Sequence, residues 1–514
     1  MRRTIIVIVT EREGRGRWFD RPIGFAQRHA AMLLFLPIVA WLAVQQHHAG
    51  HSWGDDFALY VRQATSLFDG NIGQVIAENT FNVQNAAKPG FSPYVYPWGW
   101  PLLLSPFVRA FGLDYAALKL VGVACLCGFL WVFHELVRAR ASRWIAFGVV
   151  AVVGTSLAYL THTDHLLSEL PYMFAVAITL WWLDRCRRVH HRLHMASQRQ
   201  LIVLGLLAVL VFNIRREGLS MIAAIAVVQL LDLRGRWRLA DRRRVATTYV
   251  TFVVGAIGFQ LLLPSALAPS YDDAGLHQVW RKLQGAYRLN FAEQLGIPGL
   301  RGVWLLLMVL LVVAGIVVRL WRAPSMDAPW VVVAIGSMTI AGMIPAVSGR
   351  YLMTATPFAV YFAAQALAAI PLPRHAGRWV AVAALALLTA YHLPKVADAT
   401  TQMRDLRAEG LDLADGPEQP YAQAGWDAVR RFTRQDDVVA FFKVRALTLY
   451  TDRRGIQSTP LDVVQQRADY FLMRRGLTSG QPLVSESEGT ELGWTVVWSD
   501  ADWVLWKVGA TTGG

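Results

Sequence analysis

About eleven strongly apolar runs, most of them set apart by short basic loops, decide what this chain can fold into. They lie near 30–46, 116–136, 144–162, 166–183, 200–214, 218–232, 246–267, 302–319, 329–346, 351–370 and 378–394. In hydrocarbon a backbone N–H or C=O finds no water, so runs of this length must satisfy their own hydrogen bonds as helices. None alternates with period two, which argues against an outer-membrane barrel. The chain is 54% hydrophobic and 17% charged, against about 45–50% and about 25% in soluble domains. The fold class expected is an α-helical polytopic membrane protein of about 11 spans with a C-terminal soluble α/β domain.

The net charge of +14 does not point to nucleic acid. The arginines gather in the segments 2–28, 138–143, 185–199, 234–244, 319–322 and 374–378, the pattern of loops retained on the cytoplasmic side. Treating 200–214 and 218–232 as two spans with a tight turn at Asn213 to Glu217 places all six on that side. The expected layout is then a cytoplasmic basic segment 1–29, a membrane domain 30–394 with a large first exterior loop 47–115, and an exterior α/β domain 395–514. This implies a bacterial-type cytoplasmic (inner) membrane and contact with its lipids. The first run follows a long polar stretch and has no small-residue cleavage site, so it reads as an uncleaved span. Cys125, Cys127 and Cys186 read as free thiols.

After Pro394 the composition becomes that of a soluble domain. Tyr421 to Thr433 predicts a helix. Val438 to Phe442 predicts a strand with a short helix after it. Ala468 to Met473, Trp494 to Trp498 and Trp503 to Val508 predict further strands. In the first loop, Leu102 to Phe111 is too short to span and predicts an amphipathic helix in the interface.

The exterior loops hold the candidate chemistry. Asp55 and Asp56 follow the first run, and a charge beside a span is costly without a function or a partner. Asp56 stands four residues before Tyr60, so a helix starting there puts both on one face. A carboxylate at the membrane lip can serve as general base; a helix N-cap is the plainer reading. His162, Asp164, His165 and Glu169 lack metal-ligand spacing and suit capping and loop solvation better than a metal. Arg215-Arg216-Glu217 breaks the charge pattern, and an arginine there can clamp a phosphate; a salt bridge from Arg216 to Glu217 or to another loop carboxylate is the alternative. Gly349-Arg350-Tyr351 opens another span with an arginine at phosphate depth, where interface anchoring is the alternative. No phosphate-binding glycine loop or serine nucleophile motif is present.

In order along the chain, Asp56-x-x-x-Tyr60, Tyr96-Pro97-Trp98-Gly99-Trp100-Pro101, Ser168-Glu169-Leu170-Pro171-Tyr172, Arg216-Glu217-Gly218 and Gly349-Arg350-Tyr351-Leu352 resemble the C superfamily of integral-membrane glycosyltransferases. The likeness is nearest to protein O-mannosyltransferases and bacterial lipid A aminoarabinose transferases. It covers about 30–394 and is looser over the tail. It implies transfer of a sugar from a polyprenyl-phosphate donor to a lipid, glycan or protein acceptor outside the membrane, with inversion at the sugar carbon. Carried over, Asp56 is the base with Asp55 close behind, and Arg216 and Arg350 hold the donor phosphate. Asp164, Glu169, Tyr60 and Tyr351 support the acceptor or the base. Asp-Asp stands where the mannosyltransferases often carry Asp-Glu, and Trp98 and Trp100 replace smaller residues, which leaves the base and the acceptor class open. No cofactor is assigned, and a divalent metal is left open. A transporter or lipid flippase would need charges at mid-span, which the runs mostly lack; a non-catalytic scaffold is the third reading.

Overall fold

The computed structural model describes residues 20–86, 92–190, 192–233, 239–267, 273–345, 348–373 and 376–509. Most of the basic N-terminal segment, the centre of the loop 234–244 and Arg374 lie outside the described residues. Each of the apolar runs is occupied by helix. Five helices are long and apolar enough to cross a membrane: Tyr115–Arg138, Arg242–Leu262, Gly302–Arg322, Pro324–Gly342 and Ala376–Ala408. Shorter apolar helices at His29–Gln45, Arg143–Thr155 and Gln198–Ile214 accompany them. The protein is an integral membrane protein.

The helices pack as neighbours in pairs. Tyr115–Arg138 lies on Glu169–His190, Leu219–Leu233 on Pro324–Gly342, and Gly302–Arg322 on Thr356–Ala368. The outward faces stay apolar: Val303, Trp304, Leu306, Leu310 and Trp321 are all exposed, as expected of a surface whose solvent is lipid. The run 144–162 splits at Ser156, which takes an extended conformation between Arg143–Thr155 and Leu157–His162. The polar stretch before Pro298 contains two short helices, Leu276–Gln284 and Ala286–Gln294. Gly99–Phe111 is a helix with Leu102, Leu103, Phe107 and Phe111 exposed along one stripe.

At one end of the bundle the helix termini are tied by buried charge. Arg140 bonds Asp184 and approaches Asp327 to 3.3 Å. Asp327 also accepts from Arg319 at 2.7 Å and from the Tyr361 hydroxyl at 3.0 Å. Four helices and the turn after Tyr115–Arg138 meet in this cluster.

The opposite end carries the soluble domain. The helix that begins at Ala376 runs unbroken through Pro394 to Ala408. Beyond it, five strands form one sheet: β1 Val438–Phe441, β2 Arg454–Gln457, β3 Tyr470–Arg474, β4 Thr495–Ser499 and β5 Trp503–Lys507. The order is β2-β1-β3-β5-β4. β1 pairs in parallel with β2 and β3, whereas β5 lies antiparallel between β3 and β4. The strand β2 is absent from the expectations above: four residues including Gly455 show no alternation, and only pairing with β1 defines it.

The domain is fastened to the segment that follows the helix ending at Gln45. Ala49 N–H bonds Asp412 O, Ala414 N–H bonds Ala49 O, and Trp53 N–H bonds Asp415 O. Gly416 fits here because a Cβ would stand 1.8 Å from the His51 carbonyl oxygen. The Trp53 ring packs among Trp426, Phe441 and Phe442 and donates to the Tyr421 hydroxyl at 3.0 Å.

Asp327→Ala is expected to leave Arg319 without its carboxylate and Arg140 with Asp184 alone. Breaking a buried pair from one side costs about 3–5 kcal/mol, so the thermal unfolding midpoint in detergent should fall clearly. An unchanged midpoint would show that the cluster contributes little.

Candidate active site

The junction of bundle and soluble domain encloses a cavity of about 780 Å³. Asp55, Asp56, Arg215, Arg216, Glu217, Arg350, Lys443 and Arg445 give it a charged wall. Leu219, Ile340, Ala341, Met343 and Ile344 give it an apolar one.

The helix Asp56–Asp69 forms because Phe57, Ala58, Tyr60, Val61 and Ala64 recur at helical spacing and bury one face. Asp55 occupies its N-cap position, yet neither it nor Asp56 is used as a cap: no side chain bonds the free N–H groups there. Asp56 is spent elsewhere. Its Oδ1 accepts from the Tyr96 hydroxyl at 2.6 Å and its Oδ2 from Arg350 Nη2 at 2.9 Å. Burial pushes the Asp56 pKa up, but Arg350, Tyr96 and Arg445 outweigh it and hold the carboxyl below its ordinary value. Asp55 differs. Burial dominates there against the pull of Lys443 and Arg445, and its pKa is raised. Two adjacent carboxylates are thus set apart: Asp56 is the firmly ionised one, Asp55 the more basic.

From Asp56 a chain of alternating charge runs along the cavity wall and, at Glu169, behind it. Arg350 sits in the 3-10 turn Gly349–Leu352 and reaches Glu169 at 3.5 Å. Glu169 opens the helix Glu169–His190 and accepts from Arg215 at 2.6 Å. Arg215 then donates to Glu217 at 2.8 Å and to Ser168 Oγ at 3.0 Å. Tyr60 supports the chain from its own helix, its hydroxyl 3.1 Å from Ser168 Oγ and its ring 4.8 Å from that of Tyr96. Tyr351 lies buried beside Arg350, its ring centroid 5.6 Å from the guanidinium carbon.

The pairing of Arg216 with Glu217 that adjacency suggested is corrected: Arg215 holds Glu217. Arg215 is extended and Arg216 starts a 3-10 turn, so the two side chains leave the backbone in different directions. Gly218 lets this turn close, since a Cβ would meet Phe212 N at 2.6 Å. Arg216 donates to Ala266 O, Phe212 O, Asn213 Oδ1 and Ser265 Oγ, at 2.6 to 3.3 Å. These neutral acceptors fix the guanidinium without cancelling its charge. Burial lowers its pKa to about 10, so it is still a cation at neutral pH. Among the described residues it is the cavity arginine with no carboxylate in ion-pair distance.

Asp164 is not on the cavity wall. It accepts from Lys119 Nζ at 2.6 Å and His48 N–H at 3.0 Å, which anchors the segment leading to Asp55. His165 and His51 do line the cavity, and burial lowers their pKa values to about 4 and about 3, so both are neutral imidazoles there.

Lys443 and Arg445 are the site residues that sequence reasoning missed. They follow the carboxyl end of β1, and Gln457 at the end of β2 lines the same cavity. Ligands of open α/β sheets gather outside the carboxyl ends of parallel strands, so the predicted strand-helix step at 438–445 was the available signal.

No family model and no curated protein sequence matches the chain. Solved structures do. ArnT from Cupriavidus metallidurans, in a crystal structure bound to undecaprenyl phosphate, aligns with a TM-score of 0.53 at 14% identity, over 95% of this chain and 99% of that one. The Archaeoglobus fulgidus oligosaccharyltransferase, tethered with an acceptor peptide, aligns with a TM-score of 0.53 at 12% identity, over 88% of this chain and 70% of that one. The chain shares the fold of these two proteins.

The lowered pKa of Asp56 has a consequence for stability. A depressed carboxyl stabilises the fold above its unfolded value, about 3.9, and this is lost as pH falls through the lower folded value. Asp56→Asn should therefore cost stability at pH 7, and the gap to the parent should close below about pH 4. Unfolding midpoints of both proteins across that range check the sign.

Proposed function

We propose that this protein transfers a sugar from a polyprenyl-phosphate-linked donor to an acceptor at the outer face of a bacterial cytoplasmic membrane. Asp56 is the general base, Asp55 the runner-up. Arg216, joined by Arg350, meets the donor phosphate. The observation that carries this reading is the two-walled cavity: a fixed arginine held by neutral acceptors and an ionised aspartate face the same space as an apolar wall. Such a space suits an amphiphile whose prenyl tail stays in the bilayer and whose phosphate stands at headgroup depth. The shared fold supports it, since one protein of that fold binds undecaprenyl phosphate and the other takes a peptide acceptor.

In this reading the acceptor's O–H or N–H group attacks the anomeric carbon of the sugar. The bond from that carbon to the phosphate oxygen breaks, and its electron pair leaves with the phosphate. The acceptor proton passes to Asp56, and attack from the face opposite the phosphate inverts the carbon. Fixed guanidinium groups stabilise the charge that builds on the leaving phosphate. In the free protein Arg350 is spent on Asp56 and Glu169. A phosphate that draws Arg350 towards itself weakens its hold on Asp56, so the base gains proton affinity as the donor arrives. The N-terminus is then cytoplasmic and the soluble domain exterior.

Two measurements test this. In membranes supplied with undecaprenyl-phosphate-linked sugars, Asp56→Asn should lower transfer by about 10²–10⁴-fold, and Asp55→Asn by less. Parental rates in both variants would remove the assignment. Arg216→Ala should weaken binding of undecaprenyl phosphate by about 10-fold or more, the worth of a charge-assisted hydrogen bond; unchanged binding would take the phosphate away from Arg216.

A further inference from the structure

We infer that Arg445, delivered by the soluble domain, is a positioning residue for the base: it holds the Tyr96 phenol in the orientation that donates to Asp56. The inference rests on the reading of Asp56 as the base, but its geometry stands separately.

Arg445 is buried, with 4% of its surface exposed. Its Nε donates to Asn79 Oδ1 at 2.9 Å, and its Nη2 to Ser92 Oγ at 2.7 Å and Pro93 O at 3.0 Å. Its Nη1 donates to the Tyr96 hydroxyl oxygen at 2.9 Å and lies 3.8 Å from Asp56 Oδ1. A guanidinium has no acceptor. With Arg445 occupying the phenolic oxygen, the phenol proton is directed away from it, and Asp56 stands 2.6 Å off on the other side. Arg445 thus sets the direction of a hydrogen bond it does not itself make. Its backbone N–H also reaches Asp55 Oδ1 at 3.3 Å. The soluble domain is in this way part of the site, and the loop residues Ser92, Pro93 and Tyr96 are held to it by one side chain.

The charged and titratable groups facing Asp56 come from several elements. Arg350 comes from the 3-10 turn, Tyr60 from the same helix, Tyr96 from the first exterior loop and Arg445 from the soluble domain. Asp55, with Lys443 acting on it, is next along the chain. Among the described residues Arg350 and Arg445 are the two cations in ion-pair distance of Asp56, one at each carboxylate oxygen. Lysine cannot replace Arg445, because a single ammonium cannot span Asn79, Ser92 and Tyr96 at once.

Labelling by dicyclohexylcarbodiimide, which attacks the protonated carboxyl, tests this on the full-length protein in detergent without any knowledge of the acceptor. Peptide mass spectrometry separates Asp56 from Asp55. In the parent, Asp56 should label only at acid pH. Arg445→Met should raise the pH midpoint of Asp56 labelling by about one unit or more, as expected when a cation this close is removed. Tyr96→Phe should raise it too, and the double variant should go little beyond the larger single effect. Arg350→Met, which acts on the other oxygen, should add to either. If Arg445→Met leaves the Asp56 midpoint at the parental value, or if its effect adds in full to that of Tyr96→Phe, the proposal is overturned. Should that variant not accumulate as a folded protein, Arg445→Lys and Tyr96→Phe decide by the same criterion. A shifted midpoint together with full transfer by Asp56→Asn would retain Arg445's hold on Asp56 and discard Asp56 as the base.

Discussion

The cavity end of this protein is organised by one chain of alternating charge, Asp56–Arg350–Glu169–Arg215–Glu217. Its members come from four separate places in the sequence, and Asp56 and Arg350 are 294 residues apart. Unpaired charge in a poorly solvated site is expensive, and removing one partner leaves the next exposed to that cost. The helix starts at Asp56 and Glu169 and the turns at Arg215 and Gly349–Leu352 must therefore all be in register. The same logic closes the opposite end of the bundle through Arg140, Asp184, Arg319 and Asp327. Apolar packing fills the space between two polar clasps.

Against this paired chain, Arg216 stands out because neutral acceptors hold it. A cation fixed in that way is already organised for an incoming anion, with little reorientation left to do. The apolar wall beside it and the soluble domain above it divide the cavity by polarity. A lipid-linked substrate is divided in the same manner, with tail, phosphate and sugar in sequence.

Much of the fold was legible in the sequence, because hydropathy in a lipid solvent leaves helices as the only outcome for long apolar runs. Asp56 and Arg350 were legible for a related reason: a charge at the end of a span requires an explanation. The rest depended on information that periodicity does not carry. Arg215 and Arg216 differ by one residue, and only the extended backbone at Arg215 decides which one meets Glu217. Helical spacing announced a short helix after β1, but not that Arg445 would meet the segment around Asp55, 390 residues earlier. Asp164 carried the right chemistry in a plausible loop, and the structure uses it to anchor the backbone through Lys119.

The central claim is that one cavity brings a lipid phosphate and an ionised aspartate together. A structure of the full chain in a lipid nanodisc with undecaprenyl phosphate tests it most directly. The account predicts phosphate density within hydrogen-bond distance of Arg216, Arg350 turned towards it, and Asp56 still on the cavity wall beside Tyr96. Phosphate bound at the other end of the bundle, or against the cavity with Arg216 and Arg350 both out of reach, would contradict it.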